Sequence, residues 1–200
     1  MKKAFLCVLL ILLCGCSTST SNSKQPEDHN AAYCDDSKGC GFGEKADMSG
    51  YENFDTKNSM FEESDMAHLL TAIKEKKSGI FYLGYPKCPW CIEAIPVLND
   101  IAKKHNQSIA YVRTRDDDSE LIYTPDQKKE LISYASTYMN QDDEGEYQIY
   151  VPFVLVIKDG KVVAGHVGTV DGHDAHERKM NEQEKKDLQS IYEDMFQKLK

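Results

Sequence analysis

Cys88-Pro89-Trp90-Cys91 stands between an apolar run, Gly79 to Tyr85, and an amphipathic run that starts at Ile92. A C-x-x-C at such a junction requires a strand to hand over directly to a helix, with the first thiol at the helix N-terminus. Unpaired backbone N–H groups and the helix dipole favour a thiolate there. The second thiol, one turn further on, is close enough to attack a mixed disulfide formed by the first. That pairing suits thiol–disulfide exchange. A zinc centre would need a second Cys/His pair at ligand spacing, and none follows convincingly.

From Met60 the hydropathy pattern is regular. Phe61, Met66, Leu69, Leu70 and Ile73 predict a helical face ending near Gly79. Ile80 to Tyr85 reads as a buried strand and Pro89 to about His105 as a helix. Pro89 suits its first position, while Pro96 should kink it. Ile109 to Val112 reads as a strand and Pro125 to Met139 as a helix. Phe153 to Ile157, Asp159-Gly160 and Lys161 to Val167 form a predicted hairpin. A last amphipathic helix spans Asn181 to Leu199. The order is that of an α/β domain with a mixed central sheet flanked by helices, over residues 59–200.

The N-terminus reads as a signal. Met1-Lys2-Lys3 is basic, Ala4 to Leu13 is apolar, and Gly15-Cys16 closes the segment in the manner of a bacterial lipobox. The apolar stretch is short for a lasting membrane span. Residues 1–15 are thus expected to leave and Cys16 to carry lipid; an ordinary cleaved signal is the alternative. Residues 16–58 read as a lipid-anchored linker, a flexible tether over Ser17 to about Asn30 followed by a Gly- and Asp-rich stretch, Ala31 to Asn58, partly ordered through Cys34 and Cys40. The formal charge of −9 includes Lys2 and Lys3, so the mature chain is more acidic still. That acidity argues against nucleic acid and against direct adhesion to anionic lipid, leaving the lipid anchor as the link to the membrane.

Of seven cysteines, Cys7 and Cys14 belong to the signal. The four others beyond Cys16 form two close pairs, an even number suited to an oxidising exterior. Cys34 and Cys40 are expected to form a small local disulfide. The alternative is a second redox pair exchanging electrons with Cys88 and Cys91.

The element order and motif resemble the thioredoxin-like superfamily over roughly Met60 to Leu199. Pro96 lies five residues after Cys91, where thioredoxins kink the active-site helix. Val151-Pro152 precedes a strand, where the family places a cis-proline against the disulfide. Asp159-Gly160 and Gly168 also fall in register. The stretch Gly84 to Cys91 (GYPKCPWC) is similar to that of bacteriocin transport accessory proteins. Two departures stand out: Tyr82 occupies the place of a buried aspartate, and Pro152 lies 61 residues after Cys91, further than in a minimal thioredoxin. The extra length falls in 116–120 and 140–150, both read as solvated loops or as a rim that selects a partner.

The resemblance implies catalytic roles for Cys88 as nucleophile and Cys91 as resolving thiol. Lys87 and Pro89 would modulate Cys88, and Glu93 is a nearby carboxylate in place of the missing aspartate. Trp90, Val151 and Pro152 would contact an extended substrate. No cofactor is expected, and no metal: His166, His173, Asp174 and His176 read as loop residues. The expected activity is that of an extracytoplasmic thiol–disulfide oxidoreductase acting on exported protein thiols and disulfides, coupled to a membrane electron donor or acceptor. An export accessory that mainly binds a secreted peptide is the alternative, and a metal-binding lipoprotein a third.

Overall fold

The computed structural model describes residues 43–200 together with two short strands, β1 (Cys34–Asp35) and β2 (Gly39–Cys40). The expected signal segment and the lipidation site Cys16 lie outside the described residues. β1 and β2 pair antiparallel with Cys34 opposite Cys40, so the backbone register brings the two positions together.

The remaining strands build a five-stranded mixed sheet and a small hairpin. They are β3 (Phe61–Ser64), β4 (Gly79–Gly84), β5 (Ile109–Arg113), β6 (Asn140–Gln141), β7 (Tyr147–Gln148), β8 (Phe153–Lys158) and β9 (Lys161–Val167). The large sheet runs β3-β5-β4-β8-β9. β5 is parallel to both β3 and β4, whereas β8 and β9 run antiparallel. Helices α1 (Met66–Lys74) and α3 (Pro125–Ala135) cover one face, and α2 (Pro89–His105) and α4 (Glu182–Gln197) cover the other. A central mixed sheet flanked by helices, with the C-x-x-C opening the helix after β4, is the thioredoxin-like fold.

Alternation along β4 serves both layers. Ile80 and Tyr82 pack toward α2 and α4, while Phe81 and Leu83 pack toward α1 and α3. A strand covered on both faces needs apolar residues at every position, which is why all of β4 is buried. The hairpin turn uses Asp159 at φ 51° and Gly160 at φ 73°, the left-handed pair that a two-residue turn between twisted strands demands.

α2 is continuous through Pro96, which faces solvent where its missing N–H costs least. Lys104 and His105 in its last turn bond Glu193 of α4 at 2.9 and 2.8 Å, joining the two helices of that layer. Buried Asn99 accepts from the Met60 N–H at 2.8 Å and donates to the Asn58 carbonyl at 3.3 Å.

Three expectations are corrected. Phe61 does not belong to the first helix: Phe61–Ser64 is the edge strand β3, and the helix begins at Met66 behind an Asp65 cap. The domain also starts before residue 59, because Ala46, Met48 and Tyr51 are buried in the core beneath α2. Backbone bonds from Ala46 to Phe61 and from Glu63 to Glu44 hold this segment along the outside of β3. Finally, 140–150 is not a plain loop. β6 and β7 form a hairpin whose turn is gathered by Asp142, which accepts from the N–H groups of Glu144 and Glu146 at 3.1 and 2.9 Å.

Candidate active site

Cys88 caps α2, and Pro89 occupies its first position. Because proline lacks an N–H, the donors left for the Cys88 sulfur come from Trp90 and Cys91. The Cys91 N–H reaches it at 3.2 Å. The Cys88 thiol in turn points at the Val151 carbonyl, 3.6 Å away across the site. Val151-Pro152 is joined by a cis peptide bond and leads into β8. The strand end, the helix start and the β8 entry thus meet around one sulfur.

The two thiols occupy opposite electrostatic settings. Cys88 is held below the ordinary thiol range, first by a hydrogen bond from Cys91 and then by the backbone N–H groups of Cys91 and Trp90, against the opposing effect of burial. Burial pushes Cys91 well above that range, and the neighbouring Cys88 adds to the shift. Solvent exposure separates them little, since Cys88 is only 3 % exposed and Cys91 wholly buried. Access separates them: Cys88 lines a surface cleft of about 360 Å³ and Cys91 does not.

That cleft is framed by Tyr85, Trp90, Leu121, Tyr123, Tyr150 and Val151, with the cations Lys87 and Arg115 at its rim. The 140–150 segment contributes Ile149 and Tyr150, and Arg115 and Leu121, the residues on either side of 116–120, also line it. Arg115 donates to the Ser119 carbonyl at 2.7 Å and lies 5.7 Å from the Tyr85 ring centre. Asp116 accepts from the N–H groups of Asp118 and Glu120 at 3.0 and 2.9 Å, so this acidic stretch is a tied turn. It presents Leu121 half exposed beside the thiol, and the β6–β7 hairpin leads to exposed Tyr150 on the other flank.

Several expected roles change. Lys87 bonds the Asp117 carbonyl and is not among the groups that shift Cys88. Trp90 lines the cleft but is half buried. Its Nε1 donates to the His173 carbonyl at 3.4 Å, and its ring meets His176 edge-on at 4.6 Å. Glu93 accepts the Met180 N–H at 3.0 Å, so it anchors the α4 approach instead of facing the thiols. The histidines build loop structure. His173 donates from Nε2 to the Arg178 carbonyl at 3.0 Å, which leaves Nδ1 to accept from the Thr169 hydroxyl at 2.7 Å. His166 donates from Nε2 to the Thr169 carbonyl at 2.6 Å.

Beneath Cys91 lies a group that sequence reasoning did not assemble: Tyr51, Tyr82 and Tyr111, all buried. Tyr82 and Tyr111 are register partners on β4 and β5 with stacked rings, and the Tyr51 hydroxyl donates to that of Tyr111 at 3.0 Å. The equivalent places of Tyr82 and Tyr111 near the ends of adjacent strands were visible in sequence. Tyr51 was not, because it falls in a stretch that reads as linker.

No protein family model matches the chain. Among solved structures it is similar to thioredoxin O2 from Arabidopsis thaliana in its oxidised state, at 16% identity over 67% of this chain and 96% of that one, with a TM-score of 0.34. It is also similar to an uncharacterised thioredoxin-like protein from Clostridium perfringens, at 17% identity over 75% and 91%, with a TM-score of 0.36. Strand order, strand direction and the place of the C-x-x-C define the thioredoxin-like fold of the chain.

Proposed function

We propose that this protein is a thiol–disulfide oxidoreductase for protein disulfides or dithiols, with Cys88 as nucleophile and Cys91 as resolving thiol. The observation that carries the reading is the division between the two sulfurs. One is stabilised as a thiolate and faces a cleft; the other is kept as a thiol directly behind it. In the reducing direction the Cys88 thiolate attacks a client disulfide, and a Cys88–client bond forms. The second client sulfur leaves as a thiolate and takes up a proton. Cys91 then loses its proton and attacks the Cys88 sulfur. The Cys88–Cys91 disulfide closes and the remaining client sulfur departs, having gained the proton. Two electrons have moved to the client, and the reverse sequence oxidises it.

The client class fits the cleft. Val151 offers backbone groups to an extended segment, and the aromatic and aliphatic rim accepts apolar side chains beside the cystine. A lipid at Cys16 would hold the domain outside the membrane, and a membrane electron partner would restore the starting redox state. Intact mass of protein extracted from membranes tests the anchor: a diacylglycerol-modified Cys16 is expected, and a soluble mature form starting elsewhere refutes it. For the activity, Cys91→Ser should accumulate mixed disulfides through Cys88, while Cys88→Ser accumulates none. If neither traps a client and both retain full activity in the cell, exchange is not the function. Binding of a secreted peptide, which exposed Leu121 and Tyr150 favour, is then the function.

A further inference from the structure

The resolving thiol poses a chemical problem. Cys91 must carry negative charge at the moment it attacks, yet it is wholly buried and its nearest carboxylate candidate, Glu93, is turned to Met180. The fold supplies a different group. Tyr82, on the β4 face beneath α2, is wholly buried, and its hydroxyl has no hydrogen-bond partner of good geometry among the described residues. Its ring stacks on Tyr111 with centres 5.9 Å apart and meets Phe61 edge-on at 5.5 Å. It therefore leans along the strand over Gly84, where a built Cβ would lie 2.4 Å from the hydroxyl oxygen. The lean carries the hydroxyl to the end of the strand where the cysteines sit, and both the Cys91 sulfur and the Tyr51 hydroxyl interact with it. Phenylalanine would fill the same space without burying a polar atom.

We propose that the Tyr82 hydroxyl is the hydrogen-bond donor that stabilises the negative charge of Cys91 while this thiol resolves a mixed disulfide. The inference rests on the oxidoreductase reading. Tyr51 gives its own proton to Tyr111, so its oxygen can accept from Tyr82 while Cys91 is a neutral thiol. As Cys91 loses its proton, the Tyr82 O–H turns to the sulfur, a rotation that moves no heavy atom. The Cys91 electron pair forms the bond to Cys88, the Cys88–client bond breaks, and the proton lost by Cys91 ends on the departing client sulfur. Tyr82 keeps its proton throughout, because burial pushes its pKa well above the ordinary phenol range. The titratable groups facing this pair are Cys88, Tyr51, Tyr85, Tyr111 and, from α4, Tyr192; Glu63 lies beside Tyr111 on β3.

The test uses the reduced full-length protein and an aromatic disulfide that releases a coloured thiolate. One equivalent is released when Cys88 attacks and a second when Cys91 resolves, and both are followed against pH. In Tyr82→Phe the second phase should slow about tenfold, its pH midpoint should rise by about one unit, and the first phase should keep its rate. Tyr138→Phe, which removes a tyrosine hydroxyl from the opposite layer of the sheet, should alter neither phase. An unchanged second phase in a Tyr82→Phe protein with native near-ultraviolet dichroism overturns the proposal. Should that variant not fold, Tyr51→Phe decides: losing the competing acceptor must speed the second phase, and an equal or slower rate overturns the proposal. Absence of any second release from the unsubstituted protein would instead sink the oxidoreductase reading itself.

Discussion

Replacing Gly84 by alanine tests the packing around the buried tyrosine. The added Cβ would stand 2.4 Å from the Tyr82 hydroxyl oxygen, 2.6 Å from its Cζ and 2.8 Å from its Cε1. The ring has no easy escape, because Tyr111 stacks on it and Phe61 closes its edge. Overpacking of this kind costs about 1–3 kcal/mol. The backbone at Gly84 is ordinary strand, so alanine also recovers about 0.4–1 kcal/mol by restricting the unfolded chain. The net expectation is a loss of about 1–2 kcal/mol. For a domain of this size that is a fall of roughly 3–6 °C in Tm. Urea unfolding should show a lower midpoint at an unchanged slope, which assigns the effect to the folded state. A double-mutant cycle with Tyr82→Phe should show coupling of about 0.5–1 kcal/mol, since removing the oxygen relieves the shortest contact. A midpoint equal to or above that of the unsubstituted protein would refute the argument.

Three other outcomes follow from the site and its surroundings. Alkylation of reduced protein should proceed first at Cys88, with a pH midpoint below the ordinary thiol value of about 8.5, whereas Cys91 reacts slowly. For stability the signs oppose: the lowered Cys88 contributes fully above the unfolded value and is lost as pH falls through its folded one, while the raised Cys91 withdraws stability as pH rises past the unfolded value. His68 and His166 are both lowered by burial, so the unfolded chain takes up their protons first. Urea midpoints should therefore drop as pH falls below about 6.5, and His166→Gln should flatten part of that drop. Peptide mapping of non-reduced protein should recover a Cys34–Cys40 link, consistent with their opposed backbone positions; a dominant Cys34–Cys88 crosslink would favour a redox relay instead.

What the sequence determined by itself is local chemistry. α2 was legible from Pro89 to His105 because the capping cysteine, the first-position proline and the apolar spacing all lie within one segment. The β8–β9 hairpin was legible for the same reason, since a two-residue turn and its flanking strands are a short-range unit. Tertiary structure decided the rest. Phe61-Glu62-Glu63-Ser64 has little strand character of its own and becomes β3 only because β5 pairs on one side and residues 44–46 on the other. The same pairing lays Tyr51 under α2, although its own stretch looks like linker. The partners of Lys87 and Glu93 were not legible, because adjacency along the chain says nothing about where a long side chain ends: one reaches Asp117 and the other Met180. Two cysteines three residues apart suggest redox chemistry, but what makes them unlike is the cleft before one and the packed interior around the other. Both are assembled from strands distant in sequence, and only folding sets their distances.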